Sequence, residues 1–237
     1  MRRIVPLSFA ALLATAGPAA AQGTSSATPD AAGQASTLRF AVDGLAQPIG
    51  GRLPSALRLT APGFKTNLGA LSKRCSEQSA KLNECPKGSL MGKGSLLINV
   101  AAPDGVRDVD IAINVYLHSR TKIFAVAYVL GWRVVPATLG TRGRFVVEFD
   151  PLPEGPPFAG VTYTLKRISF AFSAKRVIRR RVVRRVGGVR RTVTTRRRVH
   201  LLRNPATCTG RWASSLLLRF PDGTETPFDT PTRCSRR

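Results

Sequence analysis

Apolar and polar residues alternate along much of the chain after residue 37. In the clearest run, 109–118, larger apolar side chains occupy every second position: Val109, Ile111, Ile113, Val115 and Leu117. A period of two is typical of a strand with one buried face and one wetter face. Similar runs recur between turn sequences such as Pro103-Asp104-Gly105 and Asp222-Gly223. The pattern predicts about ten strands joined mostly by short turns.

Two segments depart from simple alternation. Between residues 161 and 172 the apolar phase shifts by one, which predicts a β-bulge near Lys166-Arg167. Residues 75–89, CSEQSAKLNECPKGS, form the only plausible helix, with Ser76 as its N-cap. Because strands dominate, the sequence predicts an all-β fold, specifically an antiparallel β-sandwich with one short helix and a long Arg-rich hairpin.

That hairpin is predicted over residues 175–203, a stretch with twelve Arg, one Lys and no acidic residue. Its Val and Ile spacing does not follow a helical period, whereas two β-prone halves flank Gly187-Gly188. A Gly-Gly pair suits a two-residue turn that needs positive φ angles. The resulting register opposes Val186 and Val189, and it also opposes arginines directly: 185 with 190, 184 with 191, and 179 with 196. We expect the hairpin to reach roughly 40 Å at ~3.3 Å per residue.

Dense positive charge on an extended hairpin indicates a surface that binds a polyanion. The predicted contact residues are ten arginines: Arg179, Arg180, Arg181, Arg184, Arg185, Arg190, Arg191, Arg196, Arg197 and Arg198. The alternative is a solvated ribbon that only keeps the chain soluble or contacts another protein. No aromatic residue lies within 175–203, so base stacking is not expected and sequence preference should be weak.

The N-terminal residues have the three parts of a secretory signal: Arg2 and Arg3, an apolar run, and Ala19-Ala20-Ala21. We expect residues 1–21 to be a signal peptide, with a twin-arginine signal as the lesser alternative. Residues 22–36 are small and polar and predict a disordered linker. Residues 37–237 then form a single β-sandwich domain. The expected location is extracellular or at the cell surface, without a transmembrane anchor, because the apolar run is too short.

Four cysteines in a chain expected to be exported predict two disulfides. Three pairings are possible, and proximity favours Cys75–Cys85 and Cys208–Cys234. Zinc would need paired C-x-x-C spacings or additional His, which the sequence lacks. We therefore expect no metal and no other cofactor.

The chain has 37 Lys and Arg against 13 Asp and Glu, a net charge of +24. Such a balance favours nucleic acid, anionic lipid or anionic wall polymer as the partner. Residues 88–95, GSLMGKGS, lack the Ser/Thr that follows the lysine of a phosphate-binding loop, and predict a loop with several positive-φ positions instead. Glu148 and Asp150, with Glu154 nearby, come nearest to a glycosidase carboxylate pair, but in so basic a chain we expect them to balance neighbouring cations. Trp132 and Trp212 are expected in the core, with exposed platforms for stacking as the lesser alternative.

Two segments carry a resemblance to a family: CSEQSAKLNECPKGSLMGKGS at 75–95 and LLRNPATCTGRWASSLLLRFPDGTETPFDTPTRC at 201–234. Together they resemble secreted all-β proteins of high-GC actinobacteria, over roughly residues 37–237. The more specific parts of the resemblance are Cys85-Pro86 with the Gly-Ser loop, and Asn204-Pro205 through Cys208 with the following Trp, Asp-Gly and Cys. Members of that family often carry a basic segment before the Asn-Pro-x-x-Cys element. The resemblance implies export and a disulfide-stapled β fold, and it implies no catalytic residues.

The sequence thus predicts a non-enzymatic secreted or cell-surface β domain whose basic hairpin binds a polyanion. A structural surface module without a dedicated ligand is the alternative. A hydrolase is the third and weakest hypothesis, because no catalytic motif appears in the sequence.

Overall fold

The computed structural model describes residues 22–45, 53–129, 131–140, 144–152 and 161–236. The predicted signal peptide, 1–21, lies outside them. The described chain is mostly strand, with one short helix α1 (Glu77–Lys81) and two 3₁₀ turns (Leu68–Ala70 and Lys87–Ser89). The strands are β1 Gln22–Thr28, β2 Ala35–Asp43, β3 Ala56–Pro62, β4 Lys65–Thr66, β5 Leu90–Ala102, β6 Gly105–Leu117, β7 Lys122–Tyr128, β8 Trp132–Gly140, β9 Arg144–Phe149, β10 Thr162–Phe172, β11 Lys175–Val186, β12 Val189–His200, β13 Leu202–Arg203, β14 Arg211–Trp212, β15 Ser215–Arg219, β16 Glu225–Asp229 and β17 Thr232–Arg233.

Fifteen of these strands form one sheet, and β11 with β12 forms a second, two-stranded sheet. The main path of the large sheet runs β14-β17-β1-β2-β10-β5-β6-β7-β8-β9-β3-β15-β16, with β13 and β4 attached beside β2. Its strand pairs are antiparallel except for β1 with β17. The all-β expectation is confirmed.

The large sheet is curled around its core. Phe145 on β9 meets Phe172 on β10 with ring centroids 4.8 Å apart, and Phe149 meets Phe170 at 5.8 Å. Five strand spacings separate β9 from β10 along the sheet, which would be roughly 24 Å if the sheet were flat, at ~4.8 Å per spacing. The curl brings these strands face to face, so the apolar phases of distant strands bury one another.

The predicted bulge is confirmed. The register between β10 and β5 shifts between Leu165 and Arg167. As a result, Leu165 before the shift and Ile168 after it are both buried, at 3% and 2% exposure. The extra residue therefore repairs the change of phase that the sequence shows.

The short helix is also confirmed, with Ser76 as its N-cap: the Ser76 hydroxyl accepts a hydrogen bond from the Ser79 amide at 3.0 Å. Ala80 of the helix packs with Tyr116, Phe124 and Val126 in a small second apolar cluster. The helix covers the outer face of β6 and β7, where alternation would otherwise leave aromatic side chains in water.

Both disulfides are formed as predicted. Cys75 is bonded to Cys85, ten residues along the chain, and Cys208 to Cys234, 26 residues along. The first bridge closes the segment that contains α1, and the second joins the loop before β14 to the residue after β17.

The expectation of a disordered linker at 22–36 is wrong for this segment. β1 pairs with β2 along its whole length, from Gln22 opposite Asp43 to Thr28 opposite Thr37. The small side chains reflect close packing: a Cβ on Gly23 would lie 2.6 Å from the Thr230 methyl carbon. Because the ladder is made by the backbone, a strand forms here with few apolar side chains.

The basic hairpin forms with the predicted register. β11 and β12 pair continuously from Lys175 opposite His200 to Val186 opposite Val189. Gly187 and Gly188 have φ angles of 59° and 79°, as a type I′ turn requires. We call this hairpin, residues 175–200, the arm.

Candidate functional site: the basic arm

The arm is anchored to the body only at its root in the described chain. Phe172, three residues before β11, is fully buried, as are Leu201 and Leu202 after β12. The Leu201 amide donates a hydrogen bond to the Ala174 carbonyl at 2.8 Å, which closes the root. The last residues of the predicted basic segment thus belong to the body, because Leu202 pairs with β2 and β4.

The two faces of the arm differ in charge. Directly opposed residues of an antiparallel pair share a face, and successive residues alternate between faces. One face, which we call the cationic face, carries seven cations among its twelve positions: Lys175, Val177, Arg179, Arg181, Val183, Arg185, Arg190, Thr192, Thr194, Arg196, Arg198 and His200. All of these are exposed except His200, which is half-buried.

The opposite face is more apolar in its described part: Arg176, Ile178, Arg180, Val182, Val193, Thr195, Arg197 and Val199. Its three arginines alternate with Ile178 and valines, and Val199 packs partly against the core. In its described part the arm is therefore a ribbon with seven cations on the cationic face and three arginines among apolar residues on the other, and the register gives Arg184 and Arg191 the phase of that second face.

The structure brings together six of the ten arginines predicted to bind: Arg179, Arg181, Arg185, Arg190, Arg196 and Arg198. Arg180 and Arg197 lie on the opposite face. Arg184 and Arg191 lie directly opposite each other in the backbone register. Lys175, which sequence reasoning did not single out, completes the cationic face at its root, and the period of two would have been enough to identify it.

No acidic residue occurs between Glu154 and Asp222, so the arm contains no internal counter-charge. The ion pairs of the described residues lie in the body, for example Lys166 with Asp108 at 2.8 Å and Arg219 with Glu225 at 3.0 Å. On the cationic face Arg179 lies directly opposite Arg196, and Arg185 opposite Arg190. Directly opposed like charges destabilise a sheet, so an external anion would relieve a repulsion that the chain does not neutralise.

The positive field extends to the root of the arm. Burial lowers the pKa of the His200 imidazole, and the charges of Arg198 and Lys175 lower it further. A neutral imidazole beside two cations keeps the root from adding more repulsion near neutral pH.

The other candidate sites do not form an arrangement of this kind. Glu148 forms an ion pair with Arg58 at 3.5 Å, and Asp150 with Arg219 at 3.1 Å, as expected for carboxylates that balance cations. Glu154 lies outside the described residues. Within the described ranges, no group of three or more His, Cys, Asp or Glu residues is placed to hold a metal ion.

The expectation of a glycine-rich loop with positive φ angles at 88–95 is wrong. Gly92 and Gly94 lie within β5, where a Cβ would come within 2.4 Å of the Ala171 carbonyl oxygen and 2.5 Å of the Ser169 carbonyl oxygen, respectively. These glycines allow β5 and β10 to approach closely, which gives them a packing role.

The two tryptophans have different environments. Trp212 is a core residue as predicted, and its indole N–H donates to the Thr207 carbonyl at 2.7 Å. Trp132 is 45% exposed and packs edge-on against Tyr128, with ring centroids 5.2 Å apart. The core expectation for Trp132 is wrong because Gly131, at φ 124°, separates β7 from β8, and Trp132 begins the second strand at an open hairpin end.

None of the helices in the described ranges is long and apolar enough to cross a membrane. Comparison with protein-family models, with curated proteins and with solved structures finds no match to this chain.

Proposed function

We propose that the arm is a docking element for polyanions on a non-enzymatic, secreted or cell-surface β domain. The observation that carries this proposal is the cationic face: seven exposed cations on one side of a two-stranded ribbon, with no acidic residue in the arm. A polymer with a row of anionic groups removes the repulsion between opposed arginines. It also accepts charge-assisted hydrogen bonds, which the planar guanidinium can donate in pairs.

The spacing of the cationic face suits a linear ligand. Neighbouring side chains on one face of a strand are about 6.6 Å apart, twice the rise of ~3.3 Å per residue. The cations therefore form a row along the arm instead of a single pocket. Such a row contacts the charged backbone of a polymer, and with no aromatic residue in the arm it reads little of the polymer's sequence.

The remainder of the chain acts in this proposal as a stable, exported platform. Its support is the signal-like N-terminus and the two disulfides. We also treat the curled sheet as sandwich-like, because the aromatic side chains of β9 pack across the core onto those of β10. Wall polymer, anionic lipid and nucleic acid remain the three partner classes.

An arm-deleted variant tests the proposal. Replacing residues 177–198 by Asn-Gly removes all ten predicted arginines and leaves Arg176 opposite Val199 as the closing pair. Arg176–Val199 is an even number of register steps from Val186–Val189, so the new turn closes a hydrogen-bonded pair like the native one. Leu201 and Leu202 are kept, because both are buried in the core.

The full chain and the arm-deleted variant are then compared for binding to anionic vesicles, duplex DNA and a bacterial wall fraction. We expect the full chain to bind at least one of them and the deletion to abolish most of that binding, while near-UV circular dichroism of the two proteins remains alike. If the arm-deleted variant binds every anion as tightly as the full chain at each salt concentration, the arm is not the docking element.

A further inference from the structure

Both long edges of the arm are unpaired in the described chain. The type I′ turn closes on a hydrogen-bonded pair, Val186 with Val189, and hydrogen-bonded and non-hydrogen-bonded pairs alternate from there. Every second residue therefore directs its N–H and C=O away from the hairpin. On β12 these residues are Arg190, Thr192, Thr194, Arg196 and Arg198. An open edge of this length is a template for another strand.

The middle of β12 is the part of the arm that is best suited to pair. Residues Thr192–Thr195, TVTT, are the longest uncharged run within either strand of the arm. Thr and Val both favour strands, and Val193 is 36% exposed. Arginines flank this tract on both sides, and charged side chains are a common means of keeping edges apart.

We propose that polyanion binding causes two copies of the protein to pair their arms, antiparallel, along β12 with Val193 at the centre. The inference rests on the proposed function, because the polyanion supplies the neutralisation. In this register Val193 lies opposite Val193 of the second copy, Thr192 opposite its Thr194, and Arg190 opposite its Arg196. The uncharged tract meets itself, as a two-fold symmetric contact requires. The opposed arginines keep unliganded copies apart.

This arrangement has a consequence for the ligand. The outward-directed residues of β12 are also the residues of the cationic face, and directly opposed residues share a face. The two cationic faces therefore lie on the same side of the four-stranded sheet that results. One polyanion then spans twice the number of cations, so binding and pairing reinforce each other.

Cysteine cross-linking tests the register. In a non-hydrogen-bonded antiparallel pair the Cα atoms are about 4.5 Å apart, within disulfide range. V193C should therefore form a covalent dimer with oxidised glutathione when a short oligothymidylate or heparin fragment is present, and not in its absence. V182C is the matched control: Val182 faces Val193 across the hairpin and is also 36% exposed. Its copies would be three strand spacings apart, roughly 14 Å, so V182C should remain monomeric.

Proline substitution tests the edge itself without changing charge. T192P/T194P removes two outward N–H donors of β12, whereas V183P removes an outward donor of β11 and serves as the control. With the short polyanion, sedimentation should show dimers for the wild type and V183P. T192P/T194P should bind as a one-to-one complex, and more weakly than the wild type, because its binding is no longer reinforced by pairing.

The outcomes separate the two proposals. If the wild type binds the polyanion but stays one copy per complex, pairing is overturned and the docking proposal stands. If T192P/T194P dimerises as readily as the wild type, or V182C cross-links as well as V193C, β12 is not the interface and the inference is overturned. If the wild type does not bind at all, the docking proposal fails and the pairing inference fails with it.

Discussion

The protein contains two long hairpins of nearly equal length with opposite surroundings. β5 and β6 have 13 residues each and the strands of the arm have 12. β5 pairs on its outer side with β10 along most of its length, and β6 pairs with β7 near its end. In the described chain the arm pairs with no other strand. Alternation and turn residues set the length of both hairpins, whereas neighbouring strands decide which one becomes part of the body.

The two hairpins also differ in how charge is balanced. On the β5–β6 hairpin Asp108 accepts hydrogen bonds from Asn99 at 2.7 Å and from Lys166 at 2.9 Å. These two partners, Asn99 first, lower the pKa of the Asp108 carboxyl. On this hairpin Asp104 meets Arg107 and Asp108 meets Lys166, whereas the arm opposes arginine to arginine. Like charges that oppose each other across a sheet, with no acidic residue nearby to balance them, are typical of a functional surface.

Hydrogen exchange should show the largest difference between the hairpins. Strand β5 lies between two neighbouring strands, so its amides can donate hydrogen bonds on both sides. Each strand of the arm has one neighbouring strand in the described chain. We expect central β5 amides, such as those of Leu96–Asn99, to exchange at least about a thousandfold more slowly than those of the arm. Equal protection would mean that the arm is packed on the body.

The second largest difference should be between the effects on stability of a substitution in the body and one in the arm. Phe172 is fully buried, and F172A should lower the free energy of unfolding by about 3–5 kcal/mol. Val183 is 63% exposed, and V183A should change the free energy of unfolding by less than about 0.5 kcal/mol. Urea unfolding measures both. A loss at Val183 that approaches the loss at Phe172 would contradict an arm that projects into solvent.

Replacing the six cationic-face arginines by lysine should have a smaller effect, on binding alone. The charge is kept, but lysine cannot donate two parallel hydrogen bonds to one phosphate or sulfate. We expect affinity for the polyanion to fall by about tenfold, roughly 1.4 kcal/mol, with an unchanged melting temperature. Unchanged affinity in a fluorescence anisotropy titration would show that charge alone is sufficient.

The smallest expected effect concerns His200 at the root. Its pKa in the folded protein is lowered by burial and then by Arg198 and Lys175. The unfolded state therefore takes up a proton first as the pH falls through about 6.5, so His200 makes the protein less stable at pH 5 than at pH 7. H200Q should remove this part of the pH dependence in urea unfolding. A stability that falls equally in H200Q would assign the effect to other groups.

Local features of the fold could be read from the sequence, and long-range ones could not. The hairpin register follows from Gly187-Gly188, and the bulge follows from the phase change near Lys166. The strand Gln22–Thr28 was missed because its partners lie elsewhere in the chain, near Asp43 and Thr232, and because the small residues that close packing requires also resemble a disordered segment.

The candidate site was located by composition, but its geometry needed the register. Ten arginines were predicted as one set, and the structure separates Arg180 and Arg197 from the cationic face. That division was implicit in the predicted hairpin, since residues two apart on a strand share a face. The exposure of Trp132 was not implicit, because it depends on a turn at Gly131 that the continuous apolar pattern conceals.

The salt dependence of binding tests the central claim most directly. Seven contacts on the cationic face predict a slope of log affinity against log salt near −6 on duplex DNA, at ~0.9 per neutralised phosphate. Changing the six arginines of that face to glutamine should reduce the slope by about five. The matched control changes six exposed body cations to glutamine: Lys65, Lys73, Arg74, Lys87, Arg120 and Arg133. The control should keep the wild-type slope, and an equal loss of slope in both variants would contradict the account.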